Sequence, residues 1–110
     1  MPGERILVVE DEAIVARDLK DRLETMGYEV VGLASTRDDA VAKAGSLRPG
    51  LALMDIRLGK NGDGIDAAGE LRRRYDIPSI FLTAYADEET LRRARATEPL
   101  GYLVKPFQDR

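Results

Sequence analysis

Neither cysteine nor histidine occurs among the 110 residues. Without cysteine there is no disulfide, no thiolate metal site and no thiol nucleophile, which fits a reducing compartment. Without histidine the chain lacks the commonest general base and imidazole ligand, and it carries no phosphohistidine step of its own. Long apolar runs are missing too: none approaches the roughly 18 residues that a bilayer span needs. Met1-Pro2-Gly3 leads straight into an apolar strand with no secretory leader, so the expected location is cytoplasmic and no membrane partner is expected. Nor does one sign of charge dominate. Seventeen basic and 20 acidic residues leave a net charge of −3, with no broad basic footprint for nucleic acid. The densest basic run, Arg72-Arg73-Arg74, reads as a solvated helix face, and no direct nucleic-acid contact is expected.

What is present is the composition of a globular domain, 44% hydrophobic and 34% charged, expected to be a single unit over 1–110. Ile6-Leu7-Val8-Val9 reads as a buried strand. From Ala13 to Met26, Ile14, Val15, Leu19, Leu23 and Met26 recur at helical spacing, and Gly27 is a natural stop. Tyr28 to Ala34 is β-rich, but Glu29 interrupts it and Gly32 weakens it, as suits an edge strand. Ser35 or Thr36 can cap a second helix that runs to about Leu47, ahead of Pro49. Leu51 to Met54 is a third strand, apolar on both faces, and it stops at Asp55. A loop over Ile56 to Gly64 with three glycines leads to a third helix marked by Ile65, Ala68 and Leu71 and ending near Tyr75. Ser79 to Thr83 is the fourth strand, a helix capped by Asp87 runs to Pro99, and Gly101 to Val104 is the fifth strand. Strict alternation predicts a doubly wound α/β fold with a five-stranded parallel sheet, and the flavodoxin-like order 2-1-3-4-5 is the order expected for it, one of the two common doubly wound orders.

Four of the five strands deliver a polar group to one edge of that sheet. Glu10 and Asp11 close the first strand, Asp55 the third, Thr83 the fourth, and Lys105 follows the fifth. The first and third strands flank the switch point, where open α/β sheets bind ligands. Three carboxylates there repel: at about 4 Å and an effective dielectric near 20, each pair costs about 4 kcal/mol. Either one is protonated or a cation lies among them, and hard oxygen ligands suit Mg²⁺ or Mn²⁺. The plainer reading is that Glu10 and Asp11 cap the first helix and Asp55 opens a turn. A hydroxyl and an ammonium beside a metal-bound carboxylate make a pocket for a tetrahedral anion, and the matching chemistry is phosphoryl transfer onto Asp55.

Val9-Glu10-Asp11-Glu12, Met54-Asp55-Ile56, Phe81-Leu82-Thr83-Ala84-Tyr85-Ala86-Asp87 and Gly101-Tyr102-Leu103-Val104-Lys105-Pro106-Phe107 together resemble the receiver (response regulator) domain of two-component signalling, over the whole chain and in order. The resemblance implies that Asp55 is the phosphoacceptor and that Glu10, Asp11, Asp55 and the backbone carbonyl of Arg57 hold Mg²⁺. It implies that Thr83 is the switch hydroxyl, that Ala84 offers a backbone N–H, and that Lys105 pairs with the phosphate and forms a cis peptide with Pro106. Tyr102 matches the switch aromatic. Arg57 and Tyr85 border the pocket and tune how fast water reaches the acyl phosphate. The implied partner is a histidine kinase or phosphotransfer protein, and the implied output surface is the fourth helix and fifth strand, including Leu91, Ala94, Arg95 and Tyr102. Such a domain is not an enzyme on a separate substrate; it only phosphorylates and dephosphorylates itself.

Receiver domains end with a fifth helix, yet only Gln108-Asp109-Arg110 follow Phe107. The expectation is therefore a domain truncated after its fifth strand, with an output domain beyond Arg110, or a homodimer or helix exchange that covers bare apolar surface. Three rival functions remain. A Mg²⁺-dependent aspartyl phosphohydrolase would carry an acid two residues past the nucleophile, where Arg57 stands. A flavodoxin-like cofactor binder would want a hydroxyl- and glycine-rich phosphate loop in place of Glu10-Asp11-Glu12. A docking module of the same fold would not need the full set Glu10, Asp11, Asp55, Thr83 and Lys105.

Overall fold

The computed structural model describes residues 4–58, 62–83 and 88–104. Strand β1 (Arg5–Val9) leads to helix α1 (Ala13–Thr25), β2 (Glu29–Ala34), α2 (Arg37–Leu47) and β3 (Leu51–Asp55). Two short strands, β4 (Arg57–Leu58) and β5 (Gly62–Asp63), precede α3 (Gly64–Tyr75), β6 (Ser79–Thr83), α4 (Glu88–Arg95) and β7 (Gly101–Val104). The main sheet is parallel throughout, in the order β2-β1-β3-β6-β7. Counting only its five strands, this is the expected 2-1-3-4-5 order.

Period-two alternation splits the core in two. Leu7, Val9, Ala52, Met54 and Phe81 face α2, α3 and Ala94 of α4, while Ile6, Val8, Leu53 and Leu82 face α1 through Leu19. Small residues set the helix spacing on the first face: Ala40, Ala44, Ala67 and Ala68 are all buried. A Cβ on Gly45 would lie 2.6 Å from the Tyr75 hydroxyl, so a side chain there would have to displace the end of the half-buried Tyr75 between α2 and α3.

The helix boundaries have local causes. Gly27 takes φ +99, and the paired bonds Tyr28 N–H to Leu23 carbonyl (3.1 Å) and Gly27 N–H to Glu24 carbonyl (3.0 Å) close α1 as a Schellman motif. Thr36 caps α2, its hydroxyl accepting from the Asp39 N–H at 3.0 Å. Helix α4 ends at Arg95, four residues before Pro99. The N–H groups of Ala96, Thr97 and Glu98 turn to carbonyls three residues back, and the Thr97 hydroxyl donates to the Ala94 carbonyl at 2.7 Å. Proline also disfavours helical backbone at the residue before it, and Glu98 sits at φ 55.

Other expectations need correction. Ile14 is 85% exposed and Met26 66% exposed. The buried stripe of α1 is Ala16 and Leu19 flanked by half-buried Val15 and Leu23, and the apolar pattern was wider than the face that packs. Ala94 is buried in the core rather than displayed on an output surface, leaving half-buried Leu91 and exposed Arg95 on the described part of α4. The loop after Asp55 contains an antiparallel ladder, Arg57 opposite Asp63 and Leu58 opposite Gly62. Edge strand β2 carries an irregularity: Ile6 pairs with Val30 and Leu7 with Gly32, leaving Val31 over. Arg73 and Arg74 are exposed on α3 and paired with Glu70 at 2.8 Å each, as a solvated helix face should be.

Candidate functional site at the carboxyl edge of the sheet

Strands β1 and β3 run side by side, Val9 opposite Met54, so the residues that leave them emerge together. Carboxylate oxygens of Glu10, Asp11 and Asp55 all lie within 4.8 Å of one another. Glu10 is 2% exposed and Asp55 6% exposed, whereas Asp11 faces water at the rim. Main-chain donors hold the two buried carboxylates. The Glu12 N–H donates to Glu10 Oε2 at 3.1 Å and the Arg57 N–H to Asp55 Oδ1 at 3.3 Å, each closing a short turn two residues on.

Helix capping does not account for these acids. The N-cap of α1 is Glu12, which makes no side-chain capping bond, and the first turn of the helix holds no acid. The donor set is three hard oxygens with an open side. An octahedral ion bound at about 2.0–2.1 Å separates opposing oxygens by roughly 4.2 Å, close to the span seen here. Glu10, Asp11 and Asp55 therefore fit an oxygen-coordinated divalent cation.

The neighbouring strand brings the next sequence candidate to the same edge. Asp55 is opposite Leu82, and the Ile56 N–H continues the ladder to the Leu82 carbonyl at 3.1 Å, so the Thr83 backbone lies one residue beyond. Thr83 is opposite Val104, the last residue of β7, and Tyr102 is opposite Phe81. Ala84, Tyr85, Lys105 and Pro106 fall outside the described residues. Sequence reasoning missed the tethering N–H groups of Glu12 and Arg57, because a backbone donor leaves no mark on residue identity. It also missed Gly64, whose signal was diluted among three loop glycines.

Fold and site define a doubly wound α/β domain with a cluster of acids at its topological switch point. Residues 6–110 match the family model of the response regulator receiver domain. The transcriptional regulatory protein PdtaR of Mycobacterium tuberculosis is 41% identical over 103 residues, covering 94% of this chain and 50% of that protein. The phyllosphere-induced regulator PhyR of Methylorubrum extorquens is 42% identical over 104 residues, covering 94% of this chain and 38% of the relative. Among solved structures, the signal receiver domain of a modulated diguanylate cyclase from Desulfovibrio desulfuricans superposes with a TM-score of 0.87 at 40% identity, covering 94% of this chain and 82% of that one. The chain belongs to the response regulator receiver domain family of two-component signalling. It spans half the length, or less, of these two curated relatives. Among the described residues, no helix is long and apolar enough to cross a membrane.

Proposed function

We propose that Asp55 accepts a phosphoryl group from a histidine kinase or phosphotransfer protein, and that the modification resets the surface formed by α4 and β7. The observation that carries this reading is the convergence of the Glu10, Asp11 and Asp55 carboxylates within 4.8 Å at the switch point. An Asp55 carboxylate oxygen attacks phosphorus in line. The bond from phosphorus to the donor's nitrogen or oxygen breaks, and its electron pair leaves with the donor. Glu10, Asp11, Asp55 and the Arg57 main-chain carbonyl hold Mg²⁺ (or Mn²⁺), which when bound offsets the negative charge of the acids and the phosphoryl oxygens.

Burial of Glu10 and the tether from the Arg57 N–H keep the acceptor pointed before the donor arrives, so little reorganisation is needed. By the family pattern the Thr83 hydroxyl, the Ala84 N–H and the Lys105 ammonium donate to the phosphoryl oxygens. Thr83 moves inward and Tyr102 turns into the space it leaves. Leu91 and Arg95 of α4 lie on the surface that a partner reads. Hydrolysis returns the carboxylate at a rate set by Arg57 and Tyr85, and the chain has no other turnover. One relative is named a transcriptional regulatory protein, and a transcriptional output is the kind of response we assign to the switched surface.

Intact-mass spectrometry after incubation with Mg²⁺ and a small phosphodonor tests this reading. One acid-stable, base-labile phosphoryl group is expected on the wild type and none on Asp55→Asn. Continuous turnover of the donor far beyond one equivalent would point to a phosphohydrolase, and no adduct at all to a docking module.

A further inference from the structure

We infer that Gly64 is the positioning residue for the phosphoacceptor turn, because only a residue without a side chain lets α3 begin against the main chain of Asp55. The inference rests on the phosphoacceptor reading above and names a residue outside its ligand set.

A Cβ built on Gly64 would collide with the Asp55 carbonyl oxygen and lie 2.7 Å from the Asp55 carbonyl carbon and 2.9 Å from the Ile56 Cα. All three atoms are backbone at the end of a central strand, so no rotamer change relieves the contact. Gly27 is the glycine with left-handed φ among the described residues, so the demand at position 64 is for space rather than backbone conformation. Gly69, one turn further along the same helix, differs: a Cβ there would sit 3.5 Å from Arg73 Nη1, the movable end of an exposed side chain.

Three hydrogen bonds turn this contact into a clamp. The Gly64 N–H donates to the Ile56 carbonyl at 2.7 Å, and the Ile56 N–H donates to the Leu82 carbonyl at 3.1 Å. The Arg57 N–H donates to Asp55 Oδ1 at 3.3 Å. The turn from Asp55 to Arg57 is thus pinned to β6 on one side and to the start of α3 on the other. The ladder of Arg57 with Asp63 and Leu58 with Gly62 closes the intervening loop. A methyl group at position 64 must lift α3 or push the strand end by about an ångström, and a misplacement of that size costs a positioned reaction roughly a hundredfold. The same shift moves the Arg57 carbonyl and opens the carboxylate cluster.

Gly64→Ala and Gly69→Ala, compared with the wild-type chain, test the inference. Folding is followed by circular dichroism, Mg²⁺ affinity by titration of amide chemical shifts, and phosphorylation by the rate with acetyl phosphate at saturating Mg²⁺. Gly64→Ala is expected to fold, to bind Mg²⁺ at least about tenfold more weakly, and to phosphorylate roughly a hundredfold more slowly. Gly69→Ala should stay within about twofold of wild type on both, since helix interiors favour alanine. Gly64→Ala within twofold of wild type on both measurements, or Gly69→Ala equally impaired, overturns the assignment. Should Gly64→Ala fail to fold, hydrogen exchange in the wild type decides: protection of the Gly64 amide comparable to β3 supports the clamp, and exchange at the rate of an open loop refutes it. If the wild type takes up neither Mg²⁺ nor phosphoryl, the phosphoacceptor reading falls by itself. Amide shifts at Asp55, Ile56 and Arg57 then still score the clamp: perturbation by Gly64→Ala alone supports it, and equal or no perturbation by the two variants overturns it.

Discussion

Replacing Asp55 with asparagine in protein kept free of divalent cations is expected to raise thermal stability, although it removes the residue on which the proposed chemistry depends. Asparagine keeps the shape and still presents an Oδ1 to the Arg57 N–H, so the hydrogen bond at 3.3 Å survives. Asparagine takes the ionisable group out of a cluster of three acids whose oxygens lie within 4.8 Å, and with it Asp55's share of their mutual repulsion. At 4.8 Å and an effective dielectric near 20, each repulsion is worth about 3.5 kcal/mol. Asp11 stands in water at the rim, and solvent screening leaves a gain of about 1–2 kcal/mol in total. For a domain near 100 residues, each kcal/mol moves Tm by about 4 °C or somewhat more. Calorimetry at neutral pH in chelator should therefore place Asp55→Asn several degrees above the wild type. Adding Mg²⁺ should reverse the order. An ion at a hundredfold excess over its Kd stabilises the native state by about 2.7 kcal/mol, and the variant, short of one ligand charge, gains less. A variant less stable than the wild type in chelator, or equal responses of the two proteins to Mg²⁺, would refute the electrostatic account of the site.

Two further outcomes follow from the packing. Leu71→Ala, at a fully buried position between α3 and the sheet, should cost about 2–5 kcal/mol in urea unfolding, and a loss below 1 kcal/mol would mean that this face of the core collapses to fill the gap. Thr36→Ala removes the side-chain bond that caps the start of α2 and should lower stability by about 1 kcal/mol, whereas Thr36→Ser should restore most of it.

The apolar runs of β1, β3 and β6 were legible because a strand buried on both faces needs nearly continuous apolar side chains, and each run ended where it met a polar group. Gly27, Thr36 and Pro49 marked helix ends through local backbone chemistry, which depends on a few neighbouring residues. The face of α1 was less legible. Ile14 and Leu19 are equally apolar, and only docking against the sheet decides that Leu19 is covered and Ile14 left in water. Ala94 gave no cue to its burial, since alanine is at home on either side of a helix.

The sequence by itself determined the alternation of elements, the parallel sheet it implies, and the identity of the acids at the strand ends. Those features depend on residue type and spacing over ten or so residues, and that information is written directly in the chain. Tertiary structure alone decided that, within the cluster of Glu10, Asp11 and Asp55, Glu10 and Asp55 are buried while Asp11 is not. It alone singled out Gly64 from the loop glycines, because the need for hydrogen in place of a methyl group arises only where the start of α3 meets the Asp55 carbonyl. Contacts of that kind are set by the docking of distant segments, and no local rule of spacing encodes them.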